Sequence, residues 1–378
     1  MLPMMLSLLR RTGAVLALLL AVPSLHARPA AADTVLIVVS GEGRDQGKTR
    51  PGFEMDEFAQ AYLIFRDNGL AVQVASPRGG PVEADKFNAE EPFNARVLAD
   101  PAATALLADT RATATLRAAD YAAVYVVGGK GAMFDLPADA ALRSLVGTMH
   151  DGGAVIAAVC HGPAALVDVR LADGSLLVAG RRMTGFTNAE EGVFGKRWAK
   201  EFPFLLETAL RERGARWEQA PLMMPKLVVD GRLITGQNPY STPAVAEAIV
   251  RATGRTPVAR TPWRDEASMA LVQRLLAGEG EAVKRELASN RTGYHDQLIG
   301  VLGYYQLQAA QDDAAVRDAL AIMQLAAPYM SEPQLPLGIA QAHWRLGEVA
   351  QARSVLGKLL ETHPDMAEAK QLKDTIEG

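Results

Sequence analysis

The chain has 378 residues, 49% hydrophobic and 22% charged, a globular mix that excludes wholesale disorder and fibrous folds and allows about two domains. Its 39 basic and 43 acidic residues leave a net charge of −4, which gives no basic footprint for nucleic acid or for an anionic membrane surface. The single cysteine, Cys160, excludes an intrachain disulfide and a multi-cysteine metal site.

Residues 1–32 read as an export leader. Arg10 and Arg11 precede an apolar run, 14–22 (AVLALLLAV), that is too short for the ~20 residues a membrane helix needs. Pro23 breaks the run, and Ala30 with Ala32 forms an A-x-A cleavage signal, with Ala27 as the alternative. The expected mature protein is exported, to a periplasm, and has no membrane span after processing.

From 34 to about 254, short apolar runs alternate with helical patterns. The expected strands are 34–40 (TVLIVVS), 70–76, 121–127 and 154–159, and the expected helices are 54–68, 138–150 and 163–169. This order predicts an α/β fold, flavodoxin-like and doubly wound on a mainly parallel sheet, over residues 33–256. Two further strands, 226–229 and 232–235, meet at an Asp230-Gly231 turn, and a helix follows at 242–252. The glycine-rich loop 41–49 (GEGRDQGKT) fits neither nucleotide signature, because Gly41, Gly43 and Gly47 are misspaced and Pro51 stands where a helix should run.

Beyond the prolines of 255–262 no strand pattern appears. Residues 263–378 form a predicted all-α domain, in which Gly347, Ala352, Leu356, Leu359 and Pro364 fall at tetratricopeptide-like positions. Ala352 and Leu356 are expected in its core, with Arg345, Glu348 and Arg353 in solvent. His295, His343 and His363 are scattered there without a catalytic constellation, and the tail is a candidate surface for a protein partner.

The sharpest chemical signal is 157–166 (AAVCHGPAAL). An apolar strand runs into Cys160, then His161-Gly162-Pro163, then an alanine-rich segment: the layout of a nucleophile elbow. A helix starting there favours thiolate over thiol, so a lowered thiol pKa is expected. Near the first helix, Glu54, Asp56 and Glu57 are candidate acid partners. Asp56 and Glu57 lie about 100° apart on a helix, so only one faces the elbow. A solvated helix N-terminus accounts for Glu54 and Asp56. No His-x-x-x-His or Glu-x-x-His pattern surrounds the cysteine, so no metal and no cofactor are expected.

Five motifs together resemble the DJ-one/PfpI superfamily, in its heat-shock-chaperone and glyoxalase III-like branch. They are 52–58 (GFEMDEF), 128–137 (GGKGAMFDLP), 157–163 (AAVCHGP), 184–191 (TGFTNAEE) and 230–239 (DGRLITGQNP). The resemblance implies Cys160 as nucleophile, Glu57 as its acid partner and His161 beside them. It also implies a loop of Gly129, Lys130 and Gly131 as the substrate or oxyanion pocket. Lys130 departs from that branch, which carries histidine at this position and thus a near-neutral acid/base that lysine cannot supply. The implied activity is cofactor-free conversion of a small reactive carbonyl substrate, methylglyoxal, to lactate, a lyase of the D-lactate dehydratase type. The alternatives are a stress-related holdase with a redox-sensing thiol and a cysteine peptidase or amidase of the same superfamily. A homodimer is the default expectation.

Overall fold

The computed structural model describes residues 33–378, and the expected leader with its cleavage residues lies outside them. In chain order the first part comprises β1 (Thr34–Val38), α1 (Met55–Asp67), β2 (Ala71–Ser76), α2 (Pro92–Leu98), α3 (Pro101–Ala108) and β3 (Arg111–Ala112). There follow β4 (Ala123–Val126), α4 (Ala132–Asp135), α5 (Ala140–Asp151), β5 (Val155–Val159), β6 (Arg182–Met183), α6 (Asn188–Phe194) and α7 (Leu206–Glu212). The part ends with β7 (Arg216–Trp217), β8 (Leu227–Asp230), β9 (Leu233–Gly236) and α8 (Thr242–Ala252).

Seven strands pair in the order β3-β2-β1-β4-β5-β9-β8. Six run parallel, and β8 is the antiparallel edge. Both β1 and β5 are apolar without interruption because both faces are covered, and every residue of Val155–Val159 is fully buried. The chain winds outward from β1 to β2 and β3, then returns to β4 on the other side. This switch opens a crevice at the carboxyl ends of β1 and β4, the usual ligand position in such sheets.

The predicted strands and the predicted helices 54–68, 138–150 and 242–252 are present with ends moved by a few residues. Two details differ. The β8–β9 turn uses Gly231 and Arg232, because Asp230 still pairs with Leu233, and Gly231 takes φ +60°. The expected helix 163–169 is a tight 3₁₀ segment, Gly162–Leu166. Here Gly162 runs against β4, where a side chain would meet the Val126 carbonyl at 2.4 Å, and Ala164 N–H closes back on the His161 carbonyl at 3.0 Å. The loop 41–49 folds on itself through an Arg44–Arg50 bridge, and no helix begins until Met55, as its spacing predicts.

The remainder is helical: α9 (Arg264–Leu276), α10 (Gly280–Ser289), α11 (Asp296–Ala309), α12 (Asp313–Ala326), α13 (Gln334–Arg345), α14 (Val349–Thr362) and α15 (Ala367–Glu377). Sequential helices pack in pairs, α11 with α12 and α13 with α14. Gly303 lets α11 approach α12, where a Cβ would stand 2.7 Å from Met323. Ala352 and Leu356 are buried and Arg353 is exposed, as expected. Arg345, though exposed, donates to the carbonyls of Leu307 and Ala310 at the end of α11, and Glu348 is held by His343 at 2.5 Å. His295 caps α11 through Nδ1, which accepts from Leu298 N–H at 3.2 Å.

These helices are joined to the sheet by more than the 255–262 linker. Leu222, Met223 and Met224, in the loop before β8, share one hydrophobic core with residues of α9 to α13. The Asp265 carboxylate accepts from Gln60 of α1 at 3.1 Å, and Trp263 packs edge-on against Phe93.

Candidate active site

Cys160 follows β5 directly and has φ +58°, a left-handed conformation that a β-carbon-bearing residue adopts only when its surroundings enforce it. Two backbone bonds enforce it: Cys160 N–H donates to the Gly236 carbonyl at 3.0 Å, and its own carbonyl accepts from Phe186 N–H at 2.8 Å. Gly128 lies two residues past the end of the neighbouring strand β4, where a Cβ would lie 2.7 Å from Cys160 Cβ and 2.8 Å from His161 N. Glycine alone fits there. The result is the nucleophile elbow that the sequence predicts.

Glu57, in the first turn of α1, is fully buried and reaches across to the elbow. Its Oε2 accepts from Gly128 N–H at 2.6 Å, its Oε1 has no hydrogen bond, and the carboxyl lies close enough to the Cys160 thiol for the two to interact. Burial pushes the Glu57 carboxyl well above its ordinary range, reinforced by the neighbouring Glu54 charge. The thiol is pushed up as well, first by burial and then by the Glu57 carboxylate. The expected lowering of the Cys160 pKa is therefore corrected. The Gly129 N–H aimed at the sulfur favours thiolate, and a full helix dipole is missing, but desolvation and two acids outweigh what remains. Glu57 and Cys160 compete for protons as a coupled pair, so a nearby base must help release the nucleophile.

His161 is the side chain placed where such a base would stand. Its Nδ1 lies 3.5 Å from Cys160 Sγ and its Nε2 lies 2.8 Å from Glu191 Oε2, with the ring held against Phe186 at 4.4 Å. A carboxylate on Nε2 fixes the proton there and leaves the Nδ1 lone pair for the thiol. Cys160, His161 and Glu191 form a buried array with the order that a nucleophile, a base and an orienting acid would need. Glu191 escapes the sequence reading, although its motif, 184–191, is singled out there. A readable signal does exist. Thr187 and Glu190 form the capping box of α6, which commits Glu190 to the helix start and turns the next acid about 100° onto another face.

The array opens into a cavity of about 180 Å³ lined by Glu54, Gly129, Lys130, Phe194, Met223 and Tyr240, among others. Lys130 is half-buried in this wall and makes no ion pair among the described residues. Gly131 is not part of the lining. Its N–H donates to the Gly52 carbonyl at 3.0 Å, and it packs where a Cβ would meet Pro51 O at 2.6 Å, so it positions the loop instead. Glu54 and Asp56 are half-buried, which corrects the expectation of a solvated helix start. Burial, with Asp56 and Asp85 nearby, raises Glu54 to about 8. Asp56 turns away to accept from Asn94 at 2.6 Å, and burial raises it to about 6. No group of three or more His, Cys, Asp or Glu is placed to hold a metal ion among the described residues.

A cysteine elbow with a buried glutamate, set in a doubly wound sheet, defines a class of α/β proteins. The family model described as DJ-1/PfpI family matches residues 49–252, more than half of the chain, and the chain belongs to that family. It is 30% identical over 221 residues to the glutathione-independent glyoxalase hsp3101 of Schizosaccharomyces pombe, covering 53% of this chain and 86% of the relative. Glyoxalase 3 of Candida albicans is 29% identical over 219 residues, covering 54% of this chain and 90% of that protein. Among solved structures, the 24 kDa rapid encystment protein of Francisella tularensis superimposes with a TM-score of 0.55 at 28% identity, covering 58% of this chain and 99% of its own.

Proposed function

We propose that the protein is a cofactor-free, glyoxalase III-like enzyme that converts a small α-oxoaldehyde such as methylglyoxal to its 2-hydroxy acid. The observation that carries this reading is a fully buried Glu57 carboxyl, one oxygen of it without a hydrogen bond, beside a thiol that lines a cavity of only about 180 Å³. His161 Nδ1 takes the thiol proton as Cys160 Sγ forms a C–S bond to the aldehyde carbon, and that proton passes to the aldehyde oxygen to give a hemithioacetal. Glu57 removes the C–H proton from this carbon and returns a proton to the adjacent carbon through an enediol, leaving a thioester. Water, deprotonated by the His161–Glu191 couple, cleaves the C–S bond and releases the hydroxy acid with the thiol restored. The sum is aldehyde plus water to hydroxy acid, with no net redox change. The Gly129 N–H supports the oxyanion, and Lys130 adds positive charge to the same wall.

The names of the relatives support this reading, as does the site's geometry. The redox-sensing alternative needs an exposed thiol, and Cys160 is 3% exposed. A peptidase needs a groove for chain on both sides of the nucleophile, and the cavity is small. The leader would place this activity in an exported protein. The deciding measurement is thiol-free turnover of methylglyoxal with detection of lactate: the wild type turns over, and Cys160→Ser loses at least a thousandfold while keeping its melting temperature. A folded wild type without turnover refutes the proposal.

A further inference from the structure

We infer that the C-terminal helices set the substrate size limit of this site, with Tyr305 and Gln306 of α11 as positioning residues for its outer wall. The inference rests on the glyoxalase reading for its choice of substrates, but its geometry does not. Two side chains of the cavity wall, Phe194 and Met223, stand between the thiol and α11. The Phe194 ring packs edge-on against Tyr305, with centroids 5.1 Å apart. Gln306, itself buried, donates from Nε2 to the Leu222 carbonyl at 3.0 Å, one residue before Met223.

The wall is also held from the sheet domain, by Glu190 and Asn238. Glu190 Oε1 accepts from Met223 N–H at 3.2 Å and from Asn238 Nδ2 at 2.9 Å, and that same Asn238 amide donates to the Met224 carbonyl at 2.9 Å. Met223 has φ +64°, a conformation a methionine does not choose in isolation. A strained residue persists only where its surroundings over-determine it, and here the surroundings belong to two parts of the chain. Phe194 closes α6, the helix that carries Glu191, so the contact with Tyr305 also bears on the acid behind His161. With these two anchors in place, Phe194 and Met223 stay against the cavity and exclude bulky groups. Without them, the loop before β8 loses its partner and the space above Cys160 widens.

Because Cys160 is the only cysteine, thiol chemistry reports on this site alone. The test compares wild type, Gln306→Ala, Tyr305→Leu and the surface control Arg317→Ala in the full chain. Two ratios are measured: kcat/KM for phenylglyoxal over methylglyoxal, and the alkylation rate of Cys160 by pyrenyl maleimide over iodoacetamide. Both ratios are expected to rise at least fivefold in Gln306→Ala and Tyr305→Leu and to stay within twofold in Arg317→Ala. Tyr305→Leu keeps an apolar contact and carries the test if Gln306→Ala fails to fold. Unchanged ratios in folded variants overturn the inference. A wild type that turns over neither aldehyde refutes the glyoxalase reading alone, because the alkylation ratio still decides whether α11 sets the wall.

Discussion

Glu191→Gln removes the charge behind His161 with almost no change of shape. The amide oxygen can still accept from Nε2, so the ground state loses only the difference between a charge-assisted and a neutral hydrogen bond, about 1 kcal/mol. The larger loss comes when Cys160 gives up its proton and the ring becomes imidazolium beside what is now a neutral group. Two unit charges about 4 Å apart interact by ~4 kcal/mol at an effective dielectric near 20. Partial charge development and local relaxation bring this to about 2–3 kcal/mol, or roughly 30- to 150-fold in rate. The amide can also turn its NH₂ toward Nε2, which moves the ring proton to Nδ1 and points it at the sulfur. The expected outcome is a kcat for methylglyoxal reduced about 100-fold with KM within threefold and a melting temperature lowered by only a few degrees. Steady-state kinetics alongside calorimetry read all three. A kcat within twofold of wild type, in a preparation where Cys160→Ser is inactive, would show that Glu191 merely packs and that the thiol proton leaves by another route.

Gly128→Ala would push a methyl group to 2.7 Å from Cys160 Cβ, and we expect a destabilisation of about 1–3 kcal/mol in urea melts with slower alkylation of the thiol. Stability should also fall with rising pH. Glu54, at about 8 in the folded state and 4.5 otherwise, stabilises the fold fully below pH 4.5, and that contribution is lost as pH rises through 8. Asp56 at about 6 and Asp135 at about 7 act in the same sense, so Glu54→Gln should flatten the decline between pH 5.5 and 8.5, and an unchanged slope in urea melts would contradict the burial assigned to this carboxyl. For the leader, N-terminal sequencing of exported protein should begin at Asp33, or at Arg28 if cleavage follows Ala27, and an intact Met1 in the exported fraction rejects it.

The parts of this molecule that can be read from the chain are those written in short stretches. Strands β1, β4 and β5 declare themselves as apolar runs because their surroundings cover both faces, and the elbow is visible because strand, cysteine and tight turn are contiguous. The acid on His161 is different. Glu191 sits 30 residues away and is delivered by a loop and a short helix whose course depends on packing, so the capping box can single it out from Glu190 but no local pattern ties it to His161. The helices α2 and α3 and the two-residue strands β6 and β7 are likewise hard to see, since each is too short to show a period. The segment after Pro163 misleads for a physical reason. Its alanines favour an α-helix, but the approach of Gly162 to β4 compresses the turn into 3₁₀ form. Nor does any pattern show that Leu222, Met223 and Met224 belong to a core completed by helices made much later.

That shared core imposes a timetable on the newborn protein. Glu57, Cys160, His161 and Glu191 all leave the ribosome before residue 200, yet Gln306, which holds the loop of Leu222–Met224, follows Met224 by 306 − 224 = 82 residues. At about 5–20 residues per second, those 82 residues take roughly 4–16 s to synthesise, far longer than helices need to form. Throughout that interval Leu222, Met223 and Met224 lack their partners from α11 to α13, and Met223 stands in the cavity wall beside Cys160 without that support. The order of synthesis thus makes the wall of this cavity one of the last features of the sheet domain to be finished, although Cys160, His161 and Glu191 lie in the first half of the chain or just beyond it.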